Sequence, residues 1–141
     1  DENSGLWFLD PSGPSAGLQL PTLPAGWKYE GWAVIDGTPV TTGTFTDPTG
    51  VDDSAPFSGA SPGPPFPGED FVANVPAGLT FPTDLAGMTA VISIEPFPDD
   101  APGPFTLKPL VGGIPTDATD RTPYSIDNNA AGFPSGTASI E

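Results

Sequence analysis

Residues 27–45, WKYEGWAVIDGTPVTTGTF, decide the fold of this chain. Two runs rich in β-branched and aromatic residues flank Asp36-Gly37-Thr38-Pro39, and Asp-Gly between such runs is a strong β-hairpin signal. Two loops compete. A two-residue Asp-Gly loop places Pro39 inside the ladder, where it has no N–H to donate. A four-residue loop from Asp36 to Pro39 pairs Ile35 with Val40 and sets Trp32 opposite Gly43, where a ring can cover a strand glycine. The second arrangement is the expected one.

Outward from the hairpin the chain reads as short strands between breakers. Leu6-Trp7-Phe8-Leu9 ends at Asp10-Pro11, and Gly17-Leu18-Gln19-Leu20 alternates. Residues 88–95, MTAVISIE, alternate Ala90, Ile92 and Ile94 with Val91, Ser93 and Glu95, which predicts a strand with one apolar face. Residues 71–75, residues 105–111 (interrupted by Pro109) and residues 137–141 complete the strand candidates. Residues 115–134 are polar and loop-like. No window combines helical apolar spacing with caps over three turns. The prediction is an all-β chain: a single β-sandwich domain over 1–141, with about 7–9 short antiparallel strands and long Pro/Gly-rich loops.

Composition agrees. The 141 residues include 21 Pro and 18 Gly, and the apolar fraction is 36%. Three Trp, two Tyr and nine Phe offset that low fraction, because each ring buries a large area. Residues 47–70 form a Pro-rich acidic insertion in which Pro56, Pro62, Pro64, Pro65 and Pro67 exclude regular structure. Phe57 and Phe66 are expected to pin it to the body, with Phe71 and Val72 as its exit.

The formal net charge is −15, with 18 acidic residues against Lys28, Lys108 and Arg121. Such a chain repels nucleic acid and anionic membrane surfaces. No apolar run approaches the roughly 18 residues of a membrane span, so no membrane insertion is expected. The first residue is Asp1 rather than Met, which is the pattern left by removal of a signal peptide, so an extracytoplasmic location (secreted, periplasmic or cell-surface) is expected.

The hairpin also carries a resemblance. Leu23-Pro24-Ala25-Gly26-Trp27-Lys28-Tyr29-Glu30-Gly31-Trp32, Val34-Ile35-Asp36-Gly37, Gly43-Thr44-Phe45 and Ile92-Ser93-Ile94-Glu95-Pro96 are similar to the C-terminal extracytoplasmic domain of anti-sigma-K-type factors. The matching pieces span about half the chain. The resemblance implies a β-sandwich outside the membrane. The family's membrane helix and cytoplasmic sigma-binding domain are not in this sequence, and Phe97-Pro98-Asp99-Asp100 replaces its Gly-rich segment after Glu-Pro, so sigma-factor control is not carried over.

The chemistry available is narrow. The chain has no His and no Cys, so an imidazole base, a thiolate and zinc ligation are all missing. Gly59-Ala60-Ser61-Pro62-Gly63 spells G-x-S-x-G, but Pro62 lacks the N–H that an oxyanion hole needs. No catalytic residue is assigned and no enzymatic activity is expected. Asp52-Asp53 and Asp99-Asp100 are loop carboxylates of the kind calcium takes, so Asp52, Asp53, Asp99 and Asp100 are the candidate metal ligands. The alternative for all four is solvated loop charge. Trp7, Trp27 and Trp32 are either sugar-stacking platforms or core. Leu6, Trp7, Phe8, Leu9, Phe57 and Phe66 are candidate interface residues: the first run lacks charged gatekeepers and can add to a neighbour's sheet, while Phe57 and Phe66, with Phe97, can anchor a protein partner from their Pro-rich loops. The alternative places these side chains in the chain's own core. The expected role is a structural or interaction module, part of an envelope or extracellular assembly that contacts a protein partner or itself. An extracytoplasmic sensor-type domain binding a ligand or calcium is the alternative.

Overall fold

A computed structural model describes residues 3–99 and 101–141. The fold is all-β, with nine strands and one 3₁₀ turn among the described residues: β1 Gly5–Trp7, β2 Leu9–Asp10, β3 Ser15–Ala16, β4 Trp27–Ile35, β5 Thr38–Phe45, β6 Gly68–Asp70, β7 Thr89–Pro96, β8 Leu110–Gly113, β9 Asp127–Asn128, then η1 Ala130–Gly132. One antiparallel sheet runs in the order β5-β4-β7-β8-β9, and two small sheets pair β1 with β6 and β2 with β3. The whole is a small β-sandwich-like fold. Among the described residues no helix is long and apolar enough to cross a membrane.

The hairpin forms, in the register the sequence argued against. Ile35 pairs with Thr38 and Val34 with Pro39, so the loop is the two residues Asp36 and Gly37, with φ of 49° and 82°. Both angles are positive, as a type I′ turn requires. Pro39 is tolerated because β5 is the sheet edge. The pair closing a two-residue loop is the hydrogen-bonded one, so the next pair leaves its nitrogens facing away from each other, and that of Pro39 faces the open side.

A bulge between Gly31 and Trp32 reconciles the two strands. Tyr29 opposes Phe45 and Ala33 opposes Val40, five residues on β4 against six on β5. Strand side chains alternate, so in a regular strand Val40 and Phe45, five positions apart, would point to opposite faces; the bulge at Thr42 brings them to one. With it both are buried: Tyr29, Phe45 and Ile92 join Phe8 and Leu18 in one core cluster, and Ala33, Ile35 and Val40 join Phe71 and Leu85 in a second.

The N-terminal segment and the 57–88 segment cover this face. Leu6 packs against both clusters. Residues 47–70, expected to hold no regular structure, contain β6, which pairs with β1 in the register Leu6↔Glu69. Its sequence, Gly-Glu-Asp, has no β propensity, and the strand exists because β1 offers it a partner. The strand expected over 71–75 is absent, although the Phe71 N–H donates to the Ser4 carbonyl (2.8 Å) and continues the β6 edge. The expected strand over 17–20 is displaced to Ser15–Ala16. That over 105–111 begins only at Leu110, beyond Pro109. Residues 137–141 form no strand, and the sheet ends instead on β9, inside the polar 115–134 segment.

The opposite face of the sheet departs most from the alternation argument. On β7, Val91, Ser93 and Glu95 are as buried as Ala90 and Ile92. The β7–β8 connection closes over them: the Ile94 N–H donates to the Leu107 carbonyl and the Phe105 N–H to Glu95 Oε1 (2.7 Å). The central strand is therefore covered on both sides, and the second side is polar.

Candidate functional site

That polar face follows from register. Lys28 pairs with Glu95, Glu30 with Ser93 and Trp32 with Val91. Residues two apart on a strand share a face, so Lys28, Glu30 and Trp32 meet Val91, Ser93 and Glu95. Trp32 Nε1 donates to Ser93 Oγ (2.8 Å), which donates to Glu95 Oε1 (2.5 Å). Thr41 Oγ1 donates to Glu30 Oε1 (2.5 Å).

Asp99, on the loop after β7, completes the group. One carboxylate oxygen from each of Glu30, Glu95 and Asp99 lies within 4.8 Å of the others. Glu30 is 6% exposed and Glu95 1%. Each keeps one buried oxygen, Oε2, with no hydrogen-bond partner. Burial pushes the Glu30 carboxyl up to about 7; the Thr41 hydroxyl opposes the rise, and the charges of Glu95 and Asp99, together with the closeness of the Asp99 carboxyl, which favours a proton shared with Glu30, add to it. Among the described residues the ion pairs are Lys28 with Asp53 (2.7 Å) and Arg121 with Asp120 (3.5 Å), so neither of these cations answers the cluster.

Of the three described acids expected to bind metal, Asp52, Asp53 and Asp99, the structure brings only Asp99 to this cluster. Asp100 lies outside the described residues. Asp53 holds Lys28 Nζ and Thr44 Oγ1, which lowers its pKa. Asp52 Oδ2 accepts from the Gly68 N–H (2.9 Å) and fastens the 47–70 segment to β6. Glu69, fully buried, does the same by accepting from the Phe57 N–H, Ser58 Oγ and the Asp70 N–H. Glu30 and Glu95 were not singled out from the sequence. The signal was there: Glu30 is a charge between Tyr29 and Trp32 in the most apolar strand.

The residues proposed as an interface are divided between the core and the partly covered surface. Phe8 and Phe66 are buried, and Leu6, Trp7, Leu9 and Phe57 are half-buried. Trp7 packs against Gly63 and Gly68 and donates Nε1–H to Asp70 Oδ1 (2.9 Å). Phe57 packs on Phe71 and Phe81, with ring centroids 6.0 and 5.8 Å away. Trp32 is core, whereas Trp27 is half-buried beside Phe105, centroids 6.2 Å apart. Phe97 and Phe105 stay 55% and 38% exposed. The Lys28 ammonium sits 4.1 Å from the Phe97 ring centroid.

The buried acids set a pH dependence. Burial raises the Asp52 carboxyl to about 6, with the charges of Glu69 and Asp53 adding, and burial likewise raises Glu69. A raised carboxyl binds its proton more tightly in the folded chain. Its stabilisation is complete below the ordinary carboxylate range near 4 and is lost as pH rises through the folded value. Thermal melting of the metal-free chain should therefore give a higher Tm at pH 5 than at pH 8. Asp52→Asn, which keeps an oxygen for Gly68, should recover part of the difference, on the order of 1 kcal/mol after allowance for solvent screening. Equal pH dependence in the two proteins would remove Asp52 as a cause.

No family model, curated protein or solved structure matches this chain.

Proposed function

We propose that this chain is a non-enzymatic extracytoplasmic structural and interaction module, a subunit of an envelope or extracellular assembly, and that it associates through the aromatic end of its main sheet. The observation that carries this reading is the exposure of Phe97 and Phe105 beside Trp27. Exposed rings with one apolar face and little entropy to lose are the groups that anchor protein interfaces. The Phe97 N–H donates to the Gly26 carbonyl (2.8 Å), so the surface is held to the start of β4 rather than carried on a free loop. The acids Asp52, Glu69 and Asp70 support the same reading, since each accepts hydrogen bonds that fasten one segment to another.

With a net charge of −15, copies of the chain repel one another at low ionic strength, and salt screens that repulsion. Light scattering should show the native chain growing from monomer to higher mass between about 50 mM and about 500 mM NaCl, where the Debye length shrinks from roughly 14 Å to 4 Å. Phe97→Ser combined with Phe105→Ser should stay monomeric. A native chain that remains monomeric across that range would end the self-association form of this proposal.

A second reading, an extracytoplasmic sensor-type domain of the kind found in anti-sigma-K-type factors, is favoured by the Glu30, Glu95 and Asp99 cluster. A buried acid cluster gives a sensor domain a place to hold a ligand.

A further inference from the structure

We propose that Glu30, Glu95 and Asp99 bind one divalent cation of the calcium class between the five-stranded sheet and the β7–β8 connection. Three observations converge on it. The first is distance. Ligand oxygens sit about 2.3–2.6 Å from calcium, so two on one ion are separated by at most roughly 5 Å; the three carboxylates meet that limit, lying within 4.8 Å of one another.

The second is the pair of orphaned oxygens. Glu30 Oε2 and Glu95 Oε2 are buried without a partner on side chains that are 6% and 1% exposed. An unpartnered buried carboxylate oxygen is costly, and such groups in native proteins ordinarily have a hydrogen bond, a water or an ion. The other oxygen of each is already fixed, Glu30 Oε1 by Thr41 and Glu95 Oε1 by Ser93 and the Phe105 N–H. The carboxylates are thus oriented, with the free atom of each still available.

The third is charge. Three carboxylates converge while Lys28 is paired with Asp53 and Arg121 with Asp120. The donor set is oxygen alone, which selects a hard cation over zinc. Asp99 is half-buried, so water can reach the third ligand and complete a shell of six to eight oxygens, an irregular arrangement that calcium accepts more readily than magnesium.

The place of the site gives the ion a consequence. Asp99 lies between Phe97 and Phe105, and Glu95 Oε1 accepts from the Phe105 N–H. An ion shared by the sheet and this segment locks the aromatic surface in position. The cation site stands without the association reading; only its effect on association rests on that reading.

The test uses the native chain, stripped with chelator, at pH 7.5. Calorimetric titration with calcium chloride should give one site, with Kd on the order of 10⁻⁴–10⁻³ M. At 10 mM calcium Tm should rise by roughly 3–10 °C. Glu30→Gln and Glu95→Gln keep the shape and remove charge, so without calcium each should melt no lower than native, and each should weaken binding at least 10-fold. Asp99→Asn should weaken it less. Asp52→Asn, which leaves the Lys28–Asp53 pair in place, should leave it unchanged. The Phe97→Ser, Phe105→Ser chain should bind calcium as native does while remaining monomeric, which separates the site from the association proposal. Absence of both heat and Tm shift in the native chain would overturn the proposal. So would undiminished binding by the Glu30→Gln, Glu95→Gln double variant, or loss of binding in the Asp52→Asn control.

Discussion

Phe71→Ala is expected to cost about 3–5 kcal/mol, the loss typical of a phenyl ring removed from a packed core. Phe71 is fully buried, and its ring lies 6.0 Å from Phe57 and 5.6 Å from Phe81 between centroids. It also joins the cluster of Ala33, Ile35 and Val40. It is the bolt between the Pro-rich insertion and the sheet. A domain of this size holds only about 5–15 kcal/mol in all, so the variant should unfold at a much lower urea concentration. Phe71→Leu, which leaves most of the volume filled, should lose about 1–1.5 kcal/mol and remain measurable even if the alanine variant does not fold. Val51→Ala, at an exposed position of the same insertion, should change stability by less than about 0.5 kcal/mol. A loss below about 1 kcal/mol for Phe71→Ala would mean that the insertion rests on the sheet without being part of the core.

Gly31→Ala should cost about 2–3 kcal/mol for the opposite reason, crowding. A Cβ at Gly31 would stand 2.6 Å from Phe8 Cε2 and closer still to Thr42 Oγ1. Phe8 is core and Thr42 is the extra residue of the bulge, so neither moves without disturbing the registration of β4 on β5. Thr42 Oγ1 is itself buried without a partner, which makes it the removable half of the clash. Adding Thr42→Ala to Gly31→Ala should recover at least about 1 kcal/mol beyond additivity in a double-mutant cycle read by urea denaturation. Additive losses would place the strain at Phe8 instead.

How much of this could be read from the sequence depended on whether the cause was local. Asp36-Gly37 gave the hairpin, because a type I′ turn is a local demand for positive φ. Its register was misjudged because Pro39 is harmless only on an edge strand, and no local pattern says which strand is the edge. β6 was hidden for a similar reason: Gly68-Glu69-Asp70 becomes a strand through β1, more than sixty positions away in the chain. The alternation in residues 88–95 marks β7, but it assigns only one face to the core, whereas the face carrying Ser93 and Glu95 is also buried, by the Pro-rich connection after Pro96. The site inherits that difficulty. Asp99 was recognisable as an acidic loop residue. Glu30 and Glu95 become ligand candidates only once β4 and β7 are paired and the loop is laid over them. The aromatic residues sorted by the same rule. Phe57 and Phe66 are drawn in by the segments they anchor, whereas Phe97 and Phe105 flank Asp99 and remain outside.

The most direct measurement is a crystal structure of the native chain grown in calcium. One density peak is expected about 2.3–2.6 Å from an oxygen of each of Glu30, Glu95 and Asp99, with Glu30 Oε2 and Glu95 Oε2 turned toward it. A calcium-grown crystal in which those two oxygens are bonded only to ordered water or to each other through a shared proton, with no peak among the three carboxylates, would contradict it.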